Sequence, residues 1–268
     1  FILDKMNAVQ TSSVGSRPAL FSVLVTYRPT TAVLDHLQRL CCQTWNVIVV
    51  DNGSDGDSVS LIEAIEKLPG VRLIRNPSNL GIAAALNTGI RLALQSGADW
   101  IATFDQDTGI PEDFFGQLLE AYQSCPSADV VGMVVPGVWR EPGAVVSQKT
   151  TAHRSAWSFV RGAVNSGSLI KAEVFERTGF YDDALFIDYV DTDFCLRLRQ
   201  NGFKILSANS VILAHELGEK QTRNLLGFKV SFRVHTAWRY YYNIRNRLVL
   251  YRRFWTFAPA WMLHDASW

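Results

Sequence analysis

The apolar residues of this chain fall into short unbroken runs separated by segments of helical spacing. Ala19-Leu20-Phe21-Ser22-Val23-Leu24-Val25-Thr26 is one run. Trp45-Asn46-Val47-Ile48-Val49-Val50 is a second, Val71-Arg72-Leu73-Ile74 a shorter third, and Asp99-Trp100-Ile101-Ala102-Thr103-Phe104-Asp105 a fourth. Runs of this kind, rich in β-branched and aromatic residues, read as strands buried on both faces. Between them, residues 30–42 place Val33, Leu34, Leu37 and Leu40 on one helical stripe, residues 57–68 are helical, and Ile82 to Leu94 is an Ala-rich helix. Pro111 suits the opening of a further helix. The β-α-β-α-β-α-β alternation predicts a parallel sheet with helices on both faces.

The second half is more mixed. Asp129–Val135 reads as a strand before a Gly/Pro-rich loop, and Asn165-Ser166-Gly167-Ser168-Leu169-Ile170 as a turn feeding a strand. Asp191–Asn201 reads as a short helix that Gly202 closes at the C′ position. Lys204–Leu213 is a last strand, ending at Ala214-His215. Ligands of such sheets bind beyond the carboxyl ends of the strands. Thr26-Tyr27-Arg28, Asp51-Asn52-Gly53-Ser54 and Asp105-Gln106-Asp107 all stand at strand ends, so they converge on one rim. No Gly-x-Gly-x-x-Gly follows the first strand, which argues against a dinucleotide oxidoreductase, and no Walker-type phosphate loop is present.

Asp105 and Asp107 carry the sharpest chemistry. Positions i and i+2 of a strand project to one side, and two crowded carboxylates repel unless a cation sits beside them. A hard divalent ion such as Mg²⁺ or Mn²⁺ bound to a diphosphate answers that need; for an Asp-x-Asp standing alone, a solvated turn with two acidic caps is the favoured reading, and the other segments of the chain change that. The chain has 268 residues and a formal charge of +1. That length suits one large α/β domain with an extension, and the charge gives no reason to expect nucleic acid. Cys41, Cys42, Cys125 and Cys195 lack metal-binding spacing and read as free thiols of a reducing compartment. The first twenty residues hold no signal-peptide core, and no apolar run reaches the roughly 18 residues of a spanning helix. A cytoplasmic protein, peripheral to the inner face of the membrane, is the expectation.

Six segments in order give the chain its likeness: Val25-Thr26-Tyr27, Val49-Val50-Asp51-Asn52-Gly53-Ser54, Asn79-Leu80-Gly81 with Asn87, Phe104-Asp105-Gln106-Asp107, Asn165-Ser166-Gly167, and Val190-Asp191-Thr192-Asp193-Phe194-Cys195-Leu196-Arg197. Together, from about Ser22 to His215, they resemble a family-2 glycosyltransferase of the GT-A type. Asp-Gln-Asp and Phe186-Ile187-Asp188-Tyr189-Val190-Asp191 look most like the bacterial rhamnosyltransferase branch. The resemblance implies a Rossmann-like α/β fold, a mostly parallel sheet with helices on both faces, and a C-terminal helical segment. It implies transfer of a sugar from a nucleotide donor, dTDP-L-rhamnose being favoured over UDP- or GDP-sugars, onto a cell-surface glycan or lipid-linked acceptor.

Roles follow from that resemblance, each beside a plainer reading. Thr26, Tyr27, Arg28, Asp51, Asn79, Gly81, Asp105 and Gln106 line the donor nucleotide. Asp51 is equally a turn-opening Asx residue, Arg28 an exposed charge, and Asn79-Leu80-Gly81 a helix-entry turn. Asp107 and His215 ligate the divalent cation that neutralises the departing diphosphate; a lone His also serves as a hydrogen-bonding strut. Asp191 is the catalytic base, removing the acceptor proton in one inverting displacement. Asn165 and Asp188 contact the acceptor. Val190 stands where the family has Glu, and Asp188 is a candidate substitute because positions i and i+3 share a helix face. A helix N-terminus at Asp191 would lower its pKa. Asp188 and Asp191 also read as helix caps, and Asp193 as support for the helix start.

The tail interleaves Trp238, Tyr240–Tyr242, Tyr251, Phe254 and Trp255 with Arg239, Arg245, Arg247, Arg252 and Arg253. This reads as a segment lying at a membrane surface, or as a helix closing the domain. The expected division is a lead-in over 1–18, a transferase domain over 19–225 (19–128 for the nucleotide sugar, 129–225 for the acceptor) and a basic, aromatic extension over 226–268.

Overall fold

A computed structural model describes residues 18–44, 46–140, 155–215, 220–225, 228–233 and 236–266. The lead-in over residues 1–17 lies outside them. Four strands, β1 (Leu20–Thr26), β2 (Asn46–Asp51), β3 (Val71–Arg75) and β4 (Trp100–Asp105), run parallel in the order β3-β2-β1-β4. Helices α1 (Ala32–Gln43), α2 (Val59–Glu66) and α3 (Ile82–Gln95) connect them. In β1, Val23 and Val25 enter one core with Leu86, Ile90 and Phe194, while Leu24 enters the opposite core with Leu37, Ile65 and Phe104. Both faces are dry, which is why the run is unbroken.

Beyond β4 the sheet turns mixed. A two-residue strand β5 (Thr108–Gly109) follows β4 at once. Then come α4 (Phe114–Gln123), β6 (Val131–Arg140), β7 (Trp157–Val160), β8 (Ser168–Lys171), α5 (Ala172–Thr178), α6 (Val190–Gln200) and β9 (Lys204–His215). β8 is antiparallel to both β4 and β6, β6 is parallel to β9, and β5 and β7 pair antiparallel with β9. Pro111 does not open α4. Gln43 donates to Pro111 O at 2.8 Å and accepts from Phe114 N at 2.7 Å, so a turn fills 111–113 and Asp113 caps the helix at φ 54°.

The hairpin β10 (Lys220–Leu225) with β11 (Phe228–Arg233) straddles residue 225, so the expected boundary there falls between paired strands. The C-terminal helices α7 (Ala237–Phe254) and α8 (Pro259–Asp265) follow. α7 is joined to the domain, not appended to it: Leu250 and Phe254 complete the core that holds Phe194. No helix among the described residues is long and apolar enough to cross a membrane.

Candidate active site

The rim begins where β1, β2 and β4 end side by side. Thr26 pairs with Asp51, and Val25 with Asp105. Thr26 is buried, and its hydroxyl has no hydrogen-bond partner among the described residues. Asp51 is buried and clasped as an Asx turn: Ser54 N lies 3.3 Å from both carboxylate oxygens and Ser54 Oγ donates at 2.5 Å. Ser54 Oγ also accepts from Arg28 N at 2.8 Å. Arg28, at φ 48°, forms a two-pronged pair with Asp55 at 2.7 and 2.8 Å and lies 5.3 Å over the Tyr27 ring. Tyr27 N donates to Gln106 Oε1 at 2.9 Å, and His36 Nδ1 lies 2.8 Å from Gln106 O. Gln106 thus ties the loops after β1 and β4 together.

Asn52 was given no role by sequence reasoning, yet it organises the neighbouring turn. Its buried amide donates to Asn79 Oδ1 at 3.0 Å and Gly81 O at 3.3 Å, and accepts from Asn76 Nδ2 at 3.0 Å and Leu80 N at 3.1 Å. Asn79 Oδ1 also accepts from Gly81 N at 3.0 Å, so the Asn79 side chain serves the turn. Gly81 adopts φ +88°, and a Cβ there would stand 2.7 Å from Phe186 O. The close approach that Gly81 permits is to Phe186.

The carboxylates gather at the end of β4. Burial pushes the Asp105 carboxyl up to about 7, and the charges of Asp107 and Asp191 push in the same direction. The neighbours Asp105 and Asp107 and the sequence-distant Asp191 therefore share one field. Asp191 is also raised, by burial first, against a 2.7 Å bond from Thr192 N. The expected lowering by the helix terminus is thus overturned: desolvation outweighs it. Asp188 adds a smaller upward push. Asp188 and Asp191 do not share a helix face, because Asp188 and Tyr189 are left-handed, at φ 59° and 62°, and α6 starts at Val190. Asp188 instead pairs with Arg239 at 3.1 Å. Asp193 is fully buried between Arg197, at 2.7 Å, and Arg253.

Ser166, also unassigned from sequence, laces the floor. Its hydroxyl accepts from Asp105 N at 2.9 Å and lies 2.6 Å from Thr108 Oγ1. Asn165 contributes its carbonyl, 2.6 Å from Thr103 Oγ1. The turn after Asp105 feeds β5, whose Thr108 pairs with the backbone of His215. The His215 side chain lies outside the described residues. Among those residues, no group of three or more His, Cys, Asp or Glu side chains is arranged to hold a metal. The Asp105–Asp107 pair still suits a hard cation, whose remaining ligands a diphosphate would supply.

The glycosyl transferase family 2 profile matches residues 23–179. The chain belongs to this family. It is a glycosyltransferase. It is 32% identical over 246 residues to the dTDP-rhamnosyl transferase RfbF of Shigella flexneri, covering 87% of this chain and 80% of that one. It is 27% identical over 228 residues to the galactofuranosyltransferase GlfT1 of Mycobacterium tuberculosis, covering 78% and 73%. In three dimensions it resembles GalNAc-T7, solved with UDP, GalNAc and Mn²⁺ (TM-score 0.60, 14% identity), spanning 74% of this chain and only 44% of that one. It also resembles the mannosyltransferase PcManGT of Pyrobaculum calidifontis, solved with GDP-Man and Mn²⁺ (TM-score 0.58, 20% identity), spanning 75% and 57%. These two likenesses establish the GT-A fold of this glycosyltransferase.

Proposed function

We propose that this glycosyltransferase moves L-rhamnose from dTDP-β-L-rhamnose, with a divalent cation and inversion at the anomeric carbon, onto a cell-surface glycan or lipid-linked acceptor. The observation that carries the reading is that Asp105, at the end of β4, lies near enough to Asp107 and to Asp191, at the start of α6, for both charges to act on it. The name of the Shigella relative supports the donor. Asp51 and the buried, unpartnered Thr26 hydroxyl mark the floor under the nucleoside, and Asp105 receives the ribose. Asp107 and His215 hold the cation, Mg²⁺ or Mn²⁺, whose chemistry is to neutralise charge on the departing diphosphate. Asp191 accepts the proton of the acceptor hydroxyl as its oxygen attacks; a raised pKa suits that task, because a stronger base takes the proton more readily. Asn165 and Asp188 border the acceptor.

Tyr241, Ile244, Leu248 and Trp255 of the C-terminal segment face outward at 59–64% exposure, which supports contact with a membrane carrying the acceptor. Four of the five arginines of α7 reach inward, so that contact rests on apolar and aromatic groups more than on charge.

The test is NMR of dTDP-β-L-rhamnose incubated with the protein and Mg²⁺. Release of dTDP with α-rhamnose as the first-formed sugar, abolished by EDTA, is expected. First-formed β-rhamnose, or turnover of a UDP-sugar alone, would overturn the reading.

A further inference from the structure

The loop entering α6 adopts a backbone that L-residues rarely take. Phe186, Asp188 and Tyr189 have φ of 62°, 59° and 62°. Ile187 N donates to Leu185 O at 2.7 Å across Phe186, whose ψ of −63° completes a γ-turn of the uncommon positive-φ kind. Asp191 follows this loop directly. Such conformations persist only where surrounding groups over-determine them.

The surrounding groups come from two elements. Ile82 N, at the start of α3, donates to Phe186 O at 2.8 Å. The rest come from α7. Asn246, fully buried, places Nδ2 at 2.8 Å from Leu185 O, 2.8 Å from Ile187 O and 2.9 Å from Asp188 O. Its Oδ1 accepts from the Arg245 guanidinium at 2.7 and 2.9 Å, and the same guanidinium reaches Ala184 O. Every carbonyl from Ala184 to Asp188 is thereby engaged, and the Asn246 amide approaches three of them, its two N–H groups shared among the three. A neutral amide fits: it offers two N–H groups toward the carbonyls and one acceptor toward the arginine. An aspartate there would face the carbonyls with no donor, and a leucine would take the amide donor from Ile187 O and Asp188 O, leaving Leu185 O only its bond from Ile187 N.

We propose that Asn246 is a positioning residue for sugar transfer: it latches the left-handed loop 185–188 so that Asp191 meets the acceptor hydroxyl. This rests on Asp191 being the base. Asn246 itself touches no reacting group. The C-terminal helix thereby becomes part of the catalytic apparatus, acting through the loop.

The test compares Asn246→Leu, Asn246→Gln and, as a control on the same helix, Leu250→Ala. Nucleotide release from dTDP-rhamnose gives kcat and KM, and calorimetry gives dTDP affinity. N246L is expected to lower kcat by about 10- to 100-fold, the effect of misplacing a reacting group by about 1 Å, with donor KM and dTDP affinity within about twofold of wild type. N246Q keeps the amide and is expected to recover part of kcat. L250A removes a buried anchor and is expected to lower the melting temperature while kcat at 20 °C holds. Folded N246L with wild-type kcat, or dTDP affinity falling in step with kcat, would overturn the latch; should N246L fail to fold, N246Q carries the same comparison. Wild-type protein that releases nucleotide only from a UDP- or GDP-sugar would refute the donor proposal, and the latch is then read from the same ratios with that sugar.

Discussion

Asn52→Leu offers the most quantitative test of how the rim is built. Leucine matches asparagine in branching and heavy-atom count but removes four hydrogen bonds, to Asn79, Gly81, Asn76 and Leu80. Each such bond contributes about 0.5–1.5 kcal/mol net, so the set amounts to about 2–6 kcal/mol. Asn79 and Leu80 are exposed and can bind water once released, which places the expected loss near about 2–4 kcal/mol. For a chain of this size that corresponds to a fall in Tm of about 5–12 °C. Urea denaturation and calorimetric scanning would both register it. The backbone bond from residue 52 N to Thr26 O at 2.8 Å is kept in the variant, so any fall in dTDP affinity reports movement of the turn itself. A variant within about 0.5 kcal/mol of wild type would refute the view that this side chain organises the turn.

Further outcomes are expected elsewhere. Gly81→Ala forces a Cβ to 2.7 Å from Phe186 O at φ +88° and should cost about 2–4 kcal/mol in denaturation; a neutral effect would show that the Phe186 contact yields freely. Asp191→Asn should lower kcat by about 10²- to 10⁴-fold with dTDP affinity intact, and a fully active variant would remove Asp191 as base. Asp105 has its carboxyl raised from the ordinary 3.8 to about 7, so in EDTA the folded chain holds a proton that the unfolded chain has lost. Wild-type stability should therefore fall as pH rises from about 4 to about 7 and level off above, by at most about 4 kcal/mol. Asp105→Asn should flatten this slope and be the more stable protein at pH 8; parallel slopes in urea titrations would contradict it.

The parallel half of the fold was legible because each strand is buried on both faces and each connection carries a helical stripe. Val23, Leu24 and Val25 feed two cores, and the sequence pattern records only that all three are apolar. The start of α4 was misplaced because the cap lies outside its own segment, in the side chain of Gln43, more than sixty residues earlier. The strand-end carboxylates were legible from position alone. What stayed hidden were buried amides and hydroxyls with distant partners: Asn52, Ser166 and Asn246 look like ordinary polar residues until the chain folds around them. Asn52 was the most accessible of these, since an Asp-Asn-Gly-Ser turn directly after a buried strand puts an amide where water is scarce. The C-terminal arginines misled in the other direction. Their spacing suits a basic surface, but Arg239, Arg247 and Arg253 find Asp188, Asp265 and Asp182, contacts between segments that no local pattern encodes. The pKa of Asp191 was misjudged because helix position is visible in sequence and burial is not.

The most direct test of the central claim is a calorimetric titration of the protein with dTDP and with UDP, in Mg²⁺ and again in EDTA. A donor site built from Thr26, Asp51 and the Asp105–Asp107 pair for a dTDP-sugar and its cation should bind dTDP in Mg²⁺, bind UDP more weakly, and lose both in EDTA. Binding of dTDP that is unchanged by EDTA, or a preference for UDP, would contradict it.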